Sequence, residues 1–486
     1  MYEIALKDVS FHYNENETAS LSHINLNIPT GKVIVLCGES GCGKSTIIRL
    51  INGLIPFYYH GNLEGDITVH GHIVKSGNIY DLGSKVSTVF QNPRSQFYCV
   101  EVKSELAFGA ENLNIPKEQI LNKIEEVSHS LHIEQFLHRT MFQLSGGEKQ
   151  KIACACVSVT DNPIIVLDEP SSNLDMRAIE ELKEMLMLWK QQGKTIVIAE
   201  HRLNYLLNIA DNYVFMKNGE IKEEFSADRF EHFSTSELNA MGLRSIRYDE
   251  LQIQNRTLLK EQLELHDFFF SYKRAKTPSL SIKELQLPKN AVIALIGRNG
   301  AGKSTFVRNF CGLEKKGKGI LNNGTSTLKS KQRLNSSFLV MQDVNHQLFT
   351  ESVADEIALS AADSNADRLE ELFTAFDLAD LKDRHPMSLS GGQKQRVAVA
   401  SAIASNREFI AFDEPTSGLD YMHMKQVAKC ILDLQKLHKT IFLITHDLEL
   451  IYSCCNFVLY IEDGKVKDMY EMSEENIEKL NHFFRI

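Results

Sequence analysis

Gly38-Glu39-Ser40-Gly41-Cys42-Gly43-Lys44-Ser45 and Gly297-Arg298-Asn299-Gly300-Ala301-Gly302-Lys303-Ser304 are the two stretches of the sequence that decide its fold. Both fit the pattern G-x-x-x-x-G-K-[ST]. In this pattern the glycines let backbone N–H groups wrap a phosphate, the lysine reaches the terminal phosphates, and the hydroxyl binds Mg²⁺. Each stretch is followed, in the same order, by the same further motifs. The sequence therefore predicts two nucleotide-binding sites.

The composition is that of an ordinary globular protein with room for at least two cores. The chain has 486 residues, of which 43% are hydrophobic and 24% are charged, and its formal net charge is −10. A nucleic-acid binder would need a basic surface, so this charge disfavours that class of protein. The nine cysteines contain no C-x₂-C pair, which favours buried reduced thiols over zinc sites or disulfides.

No membrane span or signal peptide is evident in the sequence. The apolar runs fall short of the roughly 18 residues that cross a bilayer. The N-terminal residues alternate as in a strand. We therefore expect the chain to stay in the cytosol. If it works at a membrane, partner subunits must supply the span.

The two halves differ most in one insertion. The spacing between equivalent residues falls from 259 (303 − 44) at the phosphate-loop lysines to 245 (413 − 168) further along. The first half therefore carries extra residues, which include Ile55–Gly65, where the second half has the lysine-rich Glu314–Gly319. The insertion holds the rings of Phe57, Tyr58 and Tyr59 beside His60. We expect this loop to pack its own rings, and contact with a partner is the alternative.

The order of strands and helices predicts an α/β fold in each half. Apolar strands at Val33–Cys37 and Ala291–Ile296 lead into the phosphate loops, and strands alternating with helices favour a mostly parallel sheet covered on both faces. An alternating strand opens each half, and the stretch after Gln91 or Gln342 is typical of a small helical subdomain. The predicted boundaries are 1–228 for the first domain, 229–262 for a linker that has room for a short helix, and 263–486 for the second domain.

Leu144-Ser145-Gly146-Gly147 and Leu389-Ser390-Gly391-Gly392 stand before hydrophobic helices. A serine hydroxyl and glycine N–H groups at a helix N-terminus make an anion site. With these motifs the chain resembles the ATP-binding cassette (ABC) ATPases over nearly its whole length. The resemblance implies two tandem ABC-type domains, each with a core sheet, an N-terminal antiparallel sheet and a helical subdomain. It also implies that two cassettes close head to tail, so that each Ser-Gly-Gly completes the opposite phosphate loop.

The resemblance assigns roles to the remaining motifs. Asp-Glu-Pro follows a buried strand in each half, where an aspartate can hold Mg²⁺ and the next glutamate can polarise the attacking water. The catalytic residues implied are Glu169, Glu414, His201 and His446, and the Mg²⁺ ligands are Ser45, Gln91, Asp168, Ser304, Gln342 and Asp413. The residues expected to bind ATP are Tyr13, Gly38, Glu39, Ser40, Gly41, Cys42, Gly43, Lys44, Ser45, Thr46, Ser145, Gly146, Gly147, Tyr272, Gly297, Arg298, Asn299, Gly300, Ala301, Gly302, Lys303, Ser304, Thr305, Ser390, Gly391 and Gly392. Tyr13 and Tyr272 match the aromatic that stacks on adenine, with a strand-end core role as the alternative. Ser172-Asn173-Leu174-Asp175 and Ser417-Gly418-Leu419-Asp420 match the loop that communicates between cassettes.

The sequence leaves three classes of ABC protein to which the chain could belong. The chain resembles the motors of energy-coupling-factor (ECF) importers in three stretches, which are Phe90–Phe97, Gly53-Leu54-Ile55-Pro56 and Ala199-Glu200-His201-Arg202. That class implies a transmembrane coupling subunit and a substrate-binding subunit as partners, a vitamin or metal ion as cargo, and a place at the cytoplasmic side of the cell membrane. The alternatives are a tandem ATPase of a sugar-type importer, in which one site usually looks degenerate, and a soluble tandem protein acting on ribosomes. The short, mixed-charge linker disfavours the ribosomal class.

A last expectation concerns the surface that meets the membrane partner. Glu105 and Glu356 start helical turns after Gln91 and Gln342, and Asp355 adds a second carboxylate in the second half. As the resemblance implies, these acids would face basic side chains of a membrane subunit. The alternative is a solvated helix face.

Overall fold

The computed structural model describes residues 2–14, 19–172, 174–253, 261–273, 277–361 and 366–484. The chain forms two compact units, Met1–Arg247 and Tyr248–Ile486. None of the helices in these described ranges combines the length and apolar character needed to cross a bilayer.

The first unit contains two sheets and nine α-helices within its described residues. Its strands are β1 (Tyr2–Tyr13), β2 (Leu21–Pro29), β3 (Val33–Gly38), β4 (Gly61–Val69), β5 (His72–Ile73), β6 (Val86–Val89), β7 (Ile164–Asp168), β8 (Thr195–Ala199), β9 (Asn212–Lys217) and β10 (Glu220–Ser226). Its helices are α1 (Lys44–Ile51), α2 (Leu54–Phe57), α3 (Ile79–Gly83), α4 (Val102–Asn112), α5 (Lys117–Ser130), α6 (Gly146–Thr160), α7 (Met176–Gln191), α8 (Ala227–Glu231) and α9 (Thr235–Ala240). An antiparallel sheet has the order β2-β1-β4-β5, and a six-stranded sheet has the order β10-β9-β3-β8-β7-β6.

The second unit repeats this plan. Its strands are β11 (Gln262–Phe270), β12 (Leu280–Pro288), β13 (Val292–Ile296), β14 (Lys318–Asn322), β15 (Thr327–Leu328), β16 (Ser337–Val340), β17 (Phe409–Asp413), β18 (Thr440–Ile444), β19 (Phe457–Glu462) and β20 (Lys465–Glu471). Its helices are α10 (Lys303–Phe310), α11 (Ser330–Ser336), α12 (Val353–Ser360), α13 (Ala366–Ala375), α14 (Gly391–Ala404), α15 (Tyr421–Lys436), α16 (Leu448–Cys454) and α17 (Ile477–Phe484). The sheet orders are β12-β11-β14-β15 and β16-β17-β18-β13-β19-β20.

Each six-stranded sheet is parallel except for one antiparallel edge strand. β10 pairs antiparallel with β9, and β20 pairs antiparallel with β19. The central strand β3 is buried on both faces, because Val33, Val35 and Cys37 pack into one core cluster while Ile34 and Leu36 pack into another. This explains its continuous apolar run. The predicted α/β fold with a core sheet and an antiparallel sheet in each half is confirmed.

The segment after β10 belongs to the first unit and not to an open linker. Phe230 of α8 stacks on Tyr213 with ring centroids 3.8 Å apart, and Leu238 of α9 is buried in the same core cluster. The first unit therefore extends beyond the predicted boundary at 228, to Arg247. The turn residues around Ser234 suggest a linker, but the apolar side chains between them have a core to fill. Residues 254–260 of the predicted linker lie outside the described residues.

Candidate active site

The two phosphate loops connect the end of a central strand to the start of a helix. Gly38 has φ of +148°, and a Cβ at this position would lie 2.2 Å from the Met216 carbonyl oxygen, so only glycine fits here. Lys44 Nζ donates to the carbonyl oxygens of Gly38 (3.0 Å) and Glu39 (2.8 Å). The amine is thus folded back over the loop that is predicted to bind phosphate through its backbone N–H groups.

The second loop has the same geometry. Lys303 Nζ donates to the carbonyl oxygens of Gly297 at 2.5 Å and Arg298 at 3.1 Å. It also lies 3.5 Å from His446 Nε2. The structure therefore places a buried cation at both predicted phosphate sites.

The serine after each lysine reaches the aspartate of the Asp-Glu pair. Ser45 Oγ donates to Asp168 Oδ1 at 2.9 Å, and Ser304 Oγ donates to Asp413 Oδ2 at 2.8 Å. Burial and, to a smaller extent, the charge of Glu169 together raise the pKa of Asp168 to about 6, and burial also raises the pKa of Asp413. A buried carboxylate beside a hydroxyl is an oxygen donor set that suits Mg²⁺, whose charge would offset the cost of burying the carboxylate. The chain's residues thus fit the cofactor predicted for them.

Each glutamate of the pair points toward a histidine. His201 Nε2 lies 3.4 Å from Glu169 Oε1, and His446 Nε2 lies 3.7 Å from Glu414 Oε1. Both glutamates have left-handed backbones, with φ of 44° and 52°, and the N–H of each donates to the carbonyl oxygen of the last residue of the neighbouring strand, Ala199 or Ile444. Left-handed backbone is uncommon outside glycine and clusters at functional sites.

The predicted glutamines follow the edge strands β6 and β16. Gln91 Nε2 donates to Glu169 Oε2 at 2.6 Å, which brings three predicted residues of the first unit together. Gln342 is exposed at the equivalent place in the second unit.

Tyr13 and Tyr272 lie beside the phosphate-loop helices. The hydroxyl of Tyr13 lies 3.3 Å from Thr46 Oγ1, and the hydroxyl of Tyr272 lies 3.3 Å from Thr305 Oγ1.

The Ser-Gly-Gly motifs form the N-termini of α6 and α14. Ser145 Oγ accepts from the Glu148 N–H (3.3 Å), and Ser390 Oγ accepts from the Gln393 N–H (3.4 Å). A Cβ added at Gly146 or Gly391 would meet nothing within 4 Å. Each motif therefore presents an open helix N-terminus, the expected form of an anion site.

The communicating loops lead into α7 and α15. Asp175 Oδ1 accepts from the Ala178 N–H at 3.0 Å, and Asp420 Oδ1 accepts from the His423 N–H at 2.8 Å, so each aspartate caps its helix. Asn173 of the first loop lies outside the described residues.

A buried carboxylate beside each histidine was not assigned a role from the sequence. Glu200 accepts hydrogen bonds from the Ser171 N–H (3.3 Å), the His201 N–H (2.7 Å) and the Tyr205 hydroxyl (3.0 Å). In the second unit Asp447 plays this part, since it accepts from the Thr416 hydroxyl at 2.7 Å. Each acid ties the loop after the Asp-Glu pair to the histidine. The sequence feature that could have identified these acids is their position next to the histidines. Glu200 precedes His201, whereas Asp447 follows His446.

The expectation that Glu105 and Glu356 face a membrane partner is wrong. The two side chains are 5% and 4% exposed. Glu105 Oε2 accepts from the N–H groups of Tyr98 (2.9 Å) and Cys99 (2.6 Å), and Glu356 Oε2 accepts from Phe349 (2.8 Å) and Thr350 (2.9 Å). These carboxylates hold the preceding loop in place, because that loop's N–H groups need an acceptor. Asp355 is exposed and accepts from the Ser352 hydroxyl at 2.6 Å.

The sequence is similar to those of known proteins. The family described as "ABC transporter" matches residues 21–172 and 280–417. A protein of Treponema denticola, described as an ABC transporter ATP-binding protein, is 41% identical over 469 residues, which are 95% of this chain and 96% of that protein.

Two solved structures are similar to this chain. An archaeal ribosome recycling factor, solved in complex with an archaeal ribosomal stalk protein, has a TM-score of 0.67 at 20% identity, over 98% of this chain and 92% of its own. At that identity the likeness shows the fold alone. A protein of Clostridium perfringens, part of an ABC transporter complex, is 28% identical over 48% of this chain and 91% of its own, and its TM-score is 0.43.

Proposed function

Because the chain belongs to the ABC transporter ATP-binding family and is an ATPase of that kind, we propose that it is the motor subunit of an ECF-type importer. The observation that carries the proposal is that both units hold a complete set of lysine, aspartate, glutamate and histidine in matching geometry. A sugar-type tandem motor usually has one degenerate site, and neither site is degenerate here.

The residues of each unit have separate roles in ATP hydrolysis. Lys44 and Lys303 neutralise the terminal phosphates of ATP. Glu169 and Glu414 accept a hydrogen bond from the attacking water and orient it, and the histidines hold these carboxylates in place. Ser45 and Asp168, or their counterparts in the second unit, would hold Mg²⁺, which would supply positive charge near the phosphates.

The sites are composite in this proposal. An open Ser-Gly-Gly helix N-terminus in one unit supplies N–H groups to the γ-phosphate bound by the phosphate loop of the other unit. Site one joins Lys44, Ser45, Gln91, Asp168, Glu169 and His201 with Ser390 and Gly392. Site two joins Lys303, Ser304, Gln342, Asp413, Glu414 and His446 with Ser145 and Gly147.

An exposed apolar surface in each unit supports membrane subunits as partners. Tyr98 and Phe142 are 77% and 83% exposed, and Phe349 and Met387 occupy the equivalent positions of the second unit. In the first unit the loop of Tyr98 and the segment of Phe142 are joined, because the Met141 N–H donates to the Val100 carbonyl oxygen at 2.8 Å. Large exposed apolar side chains at one place in both units are typical of an interaction site. We propose that these side chains dock the cytoplasmic segments of the transmembrane coupling subunit, at the inner face of the cell membrane.

Affinity purification of the chain from gently solubilised cells tests the proposal. Recovery of a small membrane complex that contains a coupling subunit and a substrate-binding subunit is the expected result. Co-sedimentation with ribosomes instead would refute the importer and favour the ribosomal class. Recovery with the permease of a sugar-type importer would move the chain to that class.

A further inference from the structure

The insertion of the first unit packs around the tyrosine predicted to stack on adenine. The Tyr59 ring lies edge-on to the Tyr13 ring, with centroids 6.3 Å apart, and the Arg49 guanidinium lies 4.4 Å from the centre of the Tyr59 ring. Arg49 Nη1 also donates to the Tyr13 hydroxyl at 2.9 Å. Tyr13 is therefore held through its ring and its hydroxyl by residues outside the known motifs.

The equivalent tyrosine of the second unit has a different setting. Tyr272 is 49% exposed, and the sequence after its phosphate-loop helix has Glu314–Gly319 in place of the aromatic insertion. Arg308, which corresponds to Arg49, donates through Nε to Glu314 Oε1 at 2.7 Å. The arginine that steadies the tyrosine in the first unit is thus engaged by a carboxylate in the second.

We propose that Arg49 and Tyr59 are positioning residues that make site one bind the base of the nucleotide more strongly than site two. This inference rests on the nucleotide role proposed for Tyr13. A ring already fixed in place loses less conformational freedom when a base stacks on it, so binding is stronger for the same contact. The cation–π contact between Arg49 and Tyr59 keeps the arginine where it can reach the Tyr13 hydroxyl.

The test measures binding to site one alone. In a Lys303→Ala background, calorimetry compares the non-hydrolysable ATP analogue AMP-PNP with inorganic tripolyphosphate, which has the phosphates but no base. Tyr59→Ala should weaken AMP-PNP binding by about threefold to tenfold, the range of a cation–π contact, and leave tripolyphosphate binding unchanged. Tyr59→Phe keeps the ring and should restore AMP-PNP binding. His60→Ala is the matched control, because His60 is exposed on the same loop.

Several outcomes would overturn the inference. Equal losses for AMP-PNP and tripolyphosphate would mean that Tyr59 only supports the local fold. Unchanged AMP-PNP binding in Tyr59→Ala would remove its role, as would an equal preference for AMP-PNP over tripolyphosphate at site two, measured in a Lys44→Ala background. The variant Tyr13→Ala distinguishes a failure of the nucleotide role proposed for Tyr13 from a failure of the positioning role of Tyr59. If it too has no effect, the assignment of Tyr13 fails, whereas an effect of Tyr13 without one of Tyr59 refutes only the positioning role.

Discussion

Removing the Glu105 carboxylate should destabilise the first unit. Its oxygen accepts two backbone N–H groups, from Tyr98 and Cys99. A buried donor left without an acceptor costs about 1–3 kcal/mol. Since the Tyr98 side chain is exposed, water can reach part of this loop, and we expect Glu105→Ala to lose roughly 2–3 kcal/mol of the free energy of unfolding. Glu105→Gln keeps an acceptor oxygen and should lose only about 1 kcal/mol.

Urea unfolding followed by tryptophan fluorescence reports on this unit. Trp189 is the single tryptophan of the chain, and it is buried in the core cluster that also holds Leu106 of α4. Glu111→Ala is the matched control, because Glu111 is exposed on the same helix and should change the stability by less than about 0.5 kcal/mol. If Glu105→Ala proved as mild as Glu111→Ala, the carboxylate would not be holding the loop.

Three further predictions concern function. Glu169→Gln or Glu414→Gln should each lower steady-state ATP hydrolysis at least ~10²-fold, the size of a general-base effect, and a variant with nearly full turnover would mark its site as regulatory. The double variant Glu169→Gln/Glu414→Gln should become more compact when ATP is added, as measured by small-angle scattering, and no change at saturating ATP would count against composite sites. Phe142→Asp with Met387→Asp should lose the membrane subunits during purification but keep ATP binding, because a buried unpaired charge opposes docking, and normal recovery of the complex would exclude this surface.

The fold was predictable from the sequence wherever the chemistry restricts the residue type. A phosphate loop needs glycine where the Met216 carbonyl oxygen lies against Gly38, so the motif and the geometry carry the same information. The C-terminal limit of the first unit was harder to predict from the sequence, because α8 and α9 are short and rich in turn residues. Only the core that receives Phe230 and Leu238 shows where they belong.

The side of the molecule that a charged residue faces was the hardest feature to predict. Glu105 starts a helical turn, where a carboxylate is usually solvated and favours the helix dipole. Its burial depends on N–H groups of a loop six and seven residues earlier, and no periodicity reports their direction. The apolar side chains on that loop, such as Tyr98, are the exposed ones. On this surface, therefore, the acidic side chain is buried and the apolar side chain is exposed, which is the reverse of what polarity alone predicts.

The two units share the groups that are predicted to react and differ in the residues that hold those groups in place. The lysine, aspartate, glutamate and histidine occupy matching positions in both, whereas the acid that ties the next loop precedes His201 in one unit and follows His446 in the other. A carboxylate can serve from either position because it needs only to reach the Ser171 N–H or the Thr416 hydroxyl. A group that must meet the phosphates has no such freedom. The tyrosines follow the same division, because Tyr13 and Tyr272 are both present, whereas Arg49 and Tyr59 contact each other beside Tyr13 in the first unit. The differences between the sites therefore lie in these supporting residues, and it is there that unequal nucleotide binding should originate.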